Sequence, residues 1–239
     1  MKKLEFTDMS KCLEVYRSYL KKKPSTKEEI DKFPIERLNS SFVADYGSIT
    51  CVTDADWYVF VKSEEERLNR SDLDYELLLD WMSWDKFGDF VHKTKDFLSV
   101  RDRAVVADTI YSMMSSSVDG LTADDITEII DDEDVLRESQ HRDCMVNIPD
   151  SLTVYQTVLR TEKELGLLWD TSWYESMYSM RAYNKEVSDY DIVQLDIKKE
   201  DVLMLDLYDN TIKNKRVLVK KSALNNTKHR IELRDRLVD

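Results

Sequence analysis

The spacing of the apolar residues changes near Ile148, and this change limits the possible folds more than any other feature of the sequence. Before it, apolar residues recur at intervals of three and four, which is typical of amphipathic helices. An example is the series Leu77, Trp81, Trp84, Phe87 and Val91. After it, apolar and polar residues alternate, as they do in half-buried strands. The sequence therefore predicts an α+β protein, with a mainly helical region at residues 1–147 and a β-rich region at residues 148–239.

Local signals place the main elements along the chain. Ser25, with Glu28 three residues later, predicts a capped helix that begins near Thr26. Thr122 predicts a second capped helix with an acidic first turn, and the segment RDRAVVADTIYSMMSSS also has helical spacing. By contrast, the β-branched and aromatic run WYVFV at residues 57–61 predicts a short strand within the helical region. Four more strands are predicted in the segments SLTVYQTVL, YDIVQLDI, DVLMLDLY and RVLVKK.

The composition is typical of a globular protein in water. Of the 239 residues, 42% are hydrophobic and 35% are charged. No apolar run approaches the roughly 18 residues that a membrane-spanning helix needs. The N-terminal sequence MKKLEFTDMS has two lysines, as a signal peptide does, but Glu5 and Asp8 interrupt the apolar stretch that should follow. We therefore expect a cytoplasmic protein that does not associate with membranes.

The cysteines do not predict a metal site. Cys12, Cys51 and Cys144 are far apart in the sequence, and the only close pair of possible ligands is His141 with Cys144. That pair supplies fewer than the three or four protein ligands that a zinc site requires. We therefore expect no bound metal.

The formal net charge is -13, and it is unevenly distributed. Such a charge repels nucleic acids and anionic lipids and is compatible with a basic protein partner. Carboxylates concentrate in residues 121–150, which we call the acidic segment, whereas residues 211–239 are basic. The acidic segment is interpreted as a solvated surface, as a docking surface for a basic groove, or as a mimic of nucleic acid. For docking, the partner-binding candidates are Asp124, Asp125, Asp131, Asp132 and Asp134.

Three motifs of the β-rich region occur in an order that is known from one enzyme family. They are SLTVYQTVLR, then GLLWDTSWYESMYSMRAY, and then a strand pair that ends in KRVLV. In this order and with similar spacing, residues 151–221 resemble the ADP-ribosyltransferases of the arginine-serine-glutamate type, which read roughly LYRG, SWTT and ESEVLV. The resemblance implies a small, sandwich-like transferase scaffold and, for an active member, NAD as the cofactor.

The first motif agrees with the family only in part. Tyr155 matches an aromatic residue of the family, but Gln156 stands where the family has an arginine. In family members that arginine binds the pyrophosphate or ribose of NAD, a role that suits a planar and permanently charged group. Arg160 lies on the same face of the strand as Gln156, roughly 13 Å farther along. Glutamine keeps the hydrogen bonding and loses the charge.

The second motif agrees better. Residues 169–172, WDTS, resemble the SWTTS segment that shapes the nicotinamide pocket of the family. Ser172 and Glu175 predict a capping box at the start of a helix. The same residues are also typical of an ordinary protein core, in which Trp169 and Trp173 are buried. Both roles, pocket and core, stay open at this point.

The third motif places Arg216 at the catalytic glutamate of the family and Asn214 at the acidic or glutamine position before it. In family enzymes that glutamate holds a ribose hydroxyl and stabilises an oxocarbenium-like transition state, whose positive charge a guanidinium repels. The resemblance therefore implies a cofactor-type site that has lost catalysis. Its residues are Tyr155, Gln156, Trp169, Thr171, Ser172 and Arg216.

Two functional hypotheses follow. The first is a non-catalytic interaction protein that needs no cofactor, keeps the transferase scaffold and engages a basic protein partner. Its lysine- and aspartate-rich, glycine-poor composition also resembles small accessory proteins of large tailed phages, which often inhibit host defences. The alternative is an active mono-ADP-ribosyltransferase that uses NAD through displaced residues. Its candidate catalytic residues are Arg160, Ser172, Glu175, Asp206 and Asp209.

Overall fold

The computed structural model describes residues 4–46, 49–83, 86–112, 120–130, 132–139, 148–161, 165–174, 176, 189–205 and 216–232. The chain divides into two compact units. The N-terminal unit comprises Met1–Arg103 and Val118–Leu121, and the C-terminal unit comprises Ala104–Ser117 and Thr122–Asp239. The predicted regions, 1–147 and 148–239, follow the change from helices to strands and do not coincide with these units.

The N-terminal unit is mainly helical. Its helices are α1 (Met9–Tyr19), α2 (Lys27–Asp31), α3 (Glu36–Ser41), α4 (Asp54–Leu68), α5 (Tyr75–Asp80) and α6 (Phe87–Thr94), and α7 (Val100–Ser112) begins in it. A short antiparallel hairpin, β1 (Ala44–Tyr46) and β2 (Ile49–Cys51), precedes α4. The side chains of Asp8, Thr53 and Asp74 cap α1, α4 and α5 by accepting hydrogen bonds from backbone N–H groups.

The predicted helix near Thr26 is present as α2, but its cap lies one residue later than predicted. Thr26 has the extended backbone of an N-cap, and its hydroxyl accepts a hydrogen bond from the Glu29 N–H at 3.1 Å. The Glu29 carboxylate accepts one from the Ser25 N–H at 2.7 Å. The reciprocal pairing predicted for Ser25 and Glu28 is therefore wrong by one residue, because Thr26 takes the capping conformation.

Residues 57–61, which the sequence predicts as a strand, lie instead within α4. Thr53 caps this helix, and its first turn is acidic, which complements the helix dipole. Phe60, Glu64 and Leu68 are all buried and follow one another at intervals of four residues, so they share one face of the helix. A buried glutamate in the middle of that face hides the helical period from a hydrophobicity pattern. Helical packing and capping outweigh the strand propensity of the aromatic run.

Glu64 is 0% exposed and joins three helices of the N-terminal unit. The Tyr16 hydroxyl of α1 donates to its carboxylate at 2.6 Å. Arg67 of α4 and Arg37 of α3 place an Nη1 atom 2.9 Å and 3.3 Å from Glu64 Oε1. The Arg67 guanidinium also stacks 3.7 Å from the centre of the Trp81 ring. Burial, and next the charge of Glu64, raise the pKa of Tyr16 far above its ordinary value, so this hydroxyl remains a donor.

Gly120 lies against α6 within the N-terminal unit. Its φ of 88° lies in the left-handed region, which glycine adopts without strain. A Cβ at this position would lie 2.6 Å from the backbone nitrogen of Asp89 in α6. This close approach, together with the positive φ, explains why the position holds glycine.

The C-terminal unit contains the remainder of α7, then α8 (Ala123–Ile130), α9 (Glu133–Glu138) and a sheet. The strands are β3 (Ser151–Leu159), β4 (Leu168–Asp170), β5 (Tyr190–Lys198), β6 (Val202–Leu205), β7 (Arg216–Val219) and β8 (Lys228–Glu232). They form a 6-stranded antiparallel sheet in the order β6-β7-β4-β3-β5-β8. The α+β class is confirmed, and so are the four predicted strands β3, β5, β6 and β7; the patterns did not predict β4 and β8.

One face of this sheet, which we call the core face, packs into the hydrophobic core of the unit. Along β3 every second residue is buried, from Leu152 through Gln156 to Val158, as the predicted alternation requires. Along β5, Leu195 and Ile197 are buried on the same face. Further core residues are Ile148, Val154, Trp169, Val193, Val202, Leu205, Val217, Val219 and Ala223. The side chains of the intervening strand residues project to the opposite face.

Candidate functional site

The three motif strands are neighbours in the sheet, in the order β7, β4, β3. Tyr155 of β3 pairs with Asp170 of β4, and Asp170 pairs with Arg216 of β7. Across β5 and β8 the line continues through Gln194 and His229. Paired residues project their side chains to the same face of a sheet. These five residues therefore form one line on the face opposite the core, which we call the polar row.

Asp170 is a residue of the polar row that the sequence analysis missed. It lies inside the WDTS motif, between Tyr155 and Arg216 in the sheet, and all three side chains are half-buried. Opposite charges at paired positions of an antiparallel sheet attract each other. The signal in the sequence was the acidic residue directly after Trp169, but the neighbours of Asp170 in the sheet depend on the order of the strands. The centre of the row thus sets a carboxylate directly across from a guanidinium.

Gln156 lies on the core face, below the polar row. It is 3% exposed, and its Nε2 donates a hydrogen bond to the Leu168 carbonyl at 2.7 Å. Its Oε1 accepts one from the Gly166 N–H at 3.1 Å. The amide therefore joins β3 to the chain that enters β4. A side chain engaged in this way holds two backbone segments together and does not reach the face of Tyr155.

Trp169 belongs to the core, and Trp173 lies on the other face of the sheet. Trp169 is 1% exposed, and its Nε1 donates to the Gly166 carbonyl at 2.9 Å. Its predicted burial is confirmed. Trp173 is half-buried, against Tyr190 and Ile192 of β5, so its exposure is larger than predicted. The two tryptophans thus stand on opposite faces, because the chain turns after β4.

Thr171 and Ser172 are half-buried at the end of β4, where a helical turn begins. The Ser172 hydroxyl accepts a hydrogen bond from the Tyr174 N–H at 3.3 Å, and its carbonyl accepts one from the Ser176 N–H at 3.2 Å. Ser176 is buried and shares a 2.8 Å hydroxyl–hydroxyl hydrogen bond with Thr157 of β3. Thr157 projects to the face of the polar row, so this turn packs beside the row.

The backbone of Arg216 is fixed by α7. The Tyr111 hydroxyl donates a hydrogen bond to the Arg216 carbonyl at 2.8 Å, within the C-terminal unit. Val217, the next residue, is fully buried on the core face. Since neighbouring residues of a strand project to opposite faces, this burial fixes the Arg216 side chain on the face of the polar row.

Arg160 is paired with a buried carboxylate at the end of β5. Its Nε lies 3.0 Å from Asp191 Oδ1, and Arg230 Nε of β8 lies 2.9 Å from Asp191 Oδ2. Asp191 is buried and pairs with Val158 across β3 and β5, so it projects to the core face. The structure thus separates Arg160 from the polar row and engages it with Asp191.

The described aspartates of the acidic segment all have contacts within the C-terminal unit. Asp124 forms an ion pair with Lys221, and Asp134 lies 3.2 Å from Arg137 Nη1. Asp125 is buried; its carboxylate accepts from the Thr122 N–H at 3.0 Å, and its own N–H donates to the Thr122 hydroxyl at 3.1 Å. The predicted Thr122 cap is therefore confirmed.

Asp132 is the N-cap of α9 and accepts a hydrogen bond from the Asp134 N–H at 3.0 Å. Asp124 is nevertheless 76% exposed in its side chain, and the Asp134–Arg137 pair also faces solvent. Exposed ion pairs contribute little to stability and exchange partners readily. These carboxylates therefore combine a local structural role with accessibility.

Some sequence-based candidates lie outside the described residues. They are Asp131, Glu175, Asp206, Asp209 and Asn214, together with the pair His141 and Cys144. Among the residues that the structure describes, no group of three or more His, Cys, Asp or Glu side chains is arranged to hold a metal ion. Within the same residues, none of the helices combines the length and apolar character that a membrane crossing requires.

Comparisons of this chain with protein-family models, with curated proteins and with solved structures gave no match.

Proposed function

We propose that this chain is a non-catalytic ADP-ribosyltransferase-like protein whose sheet serves as a binding scaffold. The order of the strands supports the proposal, because the three motifs lie on β3, β4 and β7, which are neighbours. Neighbouring strands bring residues of the separate motifs next to one another. The sandwich-like transferase arrangement is part of this proposal.

The observation that carries the proposal is the line of Tyr155, Asp170 and Arg216 across those strands. Arg216 stands at the position that the resemblance assigns to the catalytic glutamate, and its guanidinium repels a developing positive charge. Loss of a well-placed electrostatic contact to a transition state costs about 3–4 kcal/mol. Gln156, at the position of the NAD-binding arginine, is buried and bonded to the backbone. Both charged groups that the chemistry needs are thus replaced.

The partner in this proposal is a basic protein, and the accessible carboxylates of the acidic segment contact it. Asp124 and Asp134 face solvent in exposed ion pairs, which a basic partner can replace. The net charge of -13 accelerates encounter with a basic surface and disfavours nucleic acid as the ligand. In its most specific form, the proposal is that this chain is a phage accessory protein that inhibits a host defence protein.

Incubation with labelled NAD and a host-cell lysate tests the absence of catalysis. We expect no transfer of label to protein or nucleic acid and no release of nicotinamide. The alternative, an active mono-ADP-ribosyltransferase, requires transfer that is abolished by Asp206→Asn, Asp209→Asn or Glu175→Gln. Such a result would overturn the proposal in favour of an active ADP-ribosyltransferase.

The bound protein is first captured from the same lysate and identified. A charge variant then tests whether its binding depends on the acidic segment. The combined change Asp131→Asn, Asp132→Asn and Asp134→Asn should slow association and weaken its salt dependence. Folding should persist, since asparagine caps a helix about as well as aspartate. The matched control, Asp31→Asn, Glu76→Gln and Asp80→Asn, removes equal charge from exposed sites of the N-terminal unit. Equal effects of the two variants would assign the acidic segment to the solvated surface.

A further inference from the structure

A groove runs along α1, α6 and the 3-10 turn Lys95–Phe97 of the N-terminal unit. It has a volume of about 860 Å³ and is lined mostly by apolar surface. Val15 of α1 and Phe97 supply apolar side chains to its lining, which we call the apolar floor, and both are only half-buried. Lys11, Lys21 and Lys93 are exposed along it. The groove therefore combines an apolar floor with a basic rim.

The sequence of α1 explains why this face is left open. Cys12 and Tyr16 are 0% exposed and form the face that packs into the unit. Lys11, Val15 and Ser18 lie on the opposite face, where intervals of three and four residues bring them together. Helix α1 thus has two faces with different chemistry, and the second one, which contains an apolar residue between polar ones, lines the groove.

The charge of the groove contrasts with that of the whole chain. Its lining contains Lys11, Arg17, Lys21 and Lys93, while Glu14 is the carboxylate among the described residues that line it. Lys11 pairs with Glu14, Arg17 with Glu65 and Lys93 with Asp89, in contacts that are partly exposed. Such pairs are worth about 0–1 kcal/mol, so an incoming carboxylate can replace a partner. Lys21 makes no ion pair within the described part of the chain.

We propose that this groove binds an acidic amphipathic helix of a partner protein. The apolar floor takes the apolar stripe of the helix, and the basic rim takes carboxylates on both sides of that stripe. Helix α1 has 11 residues and is about 16 Å long, which matches about three turns of a bound helix. Phosphate groups of a nucleic acid would use the rim and leave the floor unoccupied.

A synthetic peptide tests this proposal directly. The probe is a fluorescein-labelled helical peptide of about 16 residues, with leucine at helical intervals and glutamate elsewhere. We expect full-length protein to bind it with a Kd of about 10–100 µM at low salt and more weakly as salt is raised. The same peptide with lysine in place of glutamate should not bind. In a nuclear magnetic resonance titration, the amide signals of α1 and α6 should shift.

Variants locate the site. Lys11→Glu combined with Lys21→Glu should weaken binding by about tenfold or more. Lys62→Glu makes the same charge reversal at one exposed position outside the groove, and it should leave peptide binding unchanged. Circular dichroism checks the fold of each variant. The proposal is overturned if the acidic peptide does not bind, if the lysine peptide binds equally, or if Lys62→Glu weakens binding as much. Displacement of the peptide by a short single-stranded RNA would reassign the groove to nucleic acid.

Discussion

Each unit of this protein buries a carboxylate against two arginines, but the surroundings of the two carboxylates differ. In the N-terminal unit, Glu64 is 0% exposed and also accepts a hydrogen bond from Tyr16. In the C-terminal unit, Asp191 lies at the end of β5 and contacts Arg160 and Arg230, whose side chains are partly exposed. The first carboxylate is enclosed by helices, and the second is close to solvent.

The difference teaches how helices and strands satisfy a buried charge. A helix supplies a partner from its own sequence, since Arg67 follows Glu64 by three residues, and two neighbouring helices supply the others. A sheet supplies partners from adjacent strands, and here from the end of β3 and the edge strand β8. Because water reaches the arginines at such an edge, it can compensate for a lost carboxylate there. Around Glu64 water reaches Arg37, whose side chain is 40% exposed, but not Tyr16, which is buried together with the carboxylate.

The largest effect should come from Glu64→Ala. Removing one member of a buried ion cluster leaves the other charges uncompensated, and the free energy of unfolding should fall by about 3–5 kcal/mol. Urea denaturation measures the loss, and hydrogen exchange should show it in α1, α3 and α4. The matched control is Glu65→Ala, which removes the neighbouring, partly exposed carboxylate that pairs with Arg17 and should cost about 1 kcal/mol or less. Equal costs at the two positions would contradict the role of burial.

Asp191→Asn should have a smaller effect, of about 2–3 kcal/mol. It removes the charge between Arg160 and Arg230, but both guanidinium groups can turn toward water. Hydrogen exchange should accelerate near the ends of β3, β5 and β8 and stay unchanged in α1 and α4. The control is Asp196→Asn on the same strand, where the carboxylate is exposed. A loss as large as that of Glu64→Ala would remove the distinction between the two units.

Gln156→Met tests a buried polar group that carries no charge. The change keeps the approximate volume and leaves the Gly166 N–H and the Leu168 carbonyl without their partner, at a cost of about 1–2 kcal/mol. Thermal unfolding measures it. Gln194→Met, at a half-buried position of the polar row, is the control and should cost less. If Gln156→Met were neutral, the amide would not be a structural link between β3 and β4.

The smallest effect concerns an exposed carboxylate, as a contrast with the buried ones. Hydrogen bonds from Lys22 and then from Ser25 lower the pKa of Glu29 from 4.5 to about 2. Its contribution to stability is therefore fully present above pH 4.5 and is lost as the pH falls through about 2. The difference in melting temperature between the wild type and Glu29→Gln should narrow over that window. A constant difference would mean that the Glu29 charge does not contribute.

The sequence predicted local structure well where one physical rule dominates. Alternation in β3 and β5 reflects burial of one sheet face, and the Thr122 cap reflects the need of a helix start for an acceptor. Residues 57–61 were predicted wrongly because Glu64 interrupts an apolar face with a residue that pairs only in three dimensions.

The candidate site was predicted only as a set of positions. Tyr155, Gln156 and Arg216 follow from the motifs, and alternation puts Tyr155 and Gln156 on opposite faces of the strand. The sequence does not show that Gln156 bonds to the backbone at Gly166 and Leu168, or that Tyr155 pairs with Asp170. Asp170 becomes Arg216's neighbour through the order of strands, and Asp191 meets an arginine 31 residues away in the sequence. Contacts over such distances depend on topology, which local patterns do not encode.

Gly120 has a consequence for the order in which the protein folds during synthesis. Residues 104–117 belong to the C-terminal unit, and the chain then returns at Val118–Leu121 to the N-terminal unit. A nascent chain that has emerged only as far as Arg103 therefore lacks the segment whose glycine lies against the start of α6. Since domains generally fold as units while the ribosome extends the chain, completion of the first unit must wait until residue 121 has left the ribosome, when α7 is already outside.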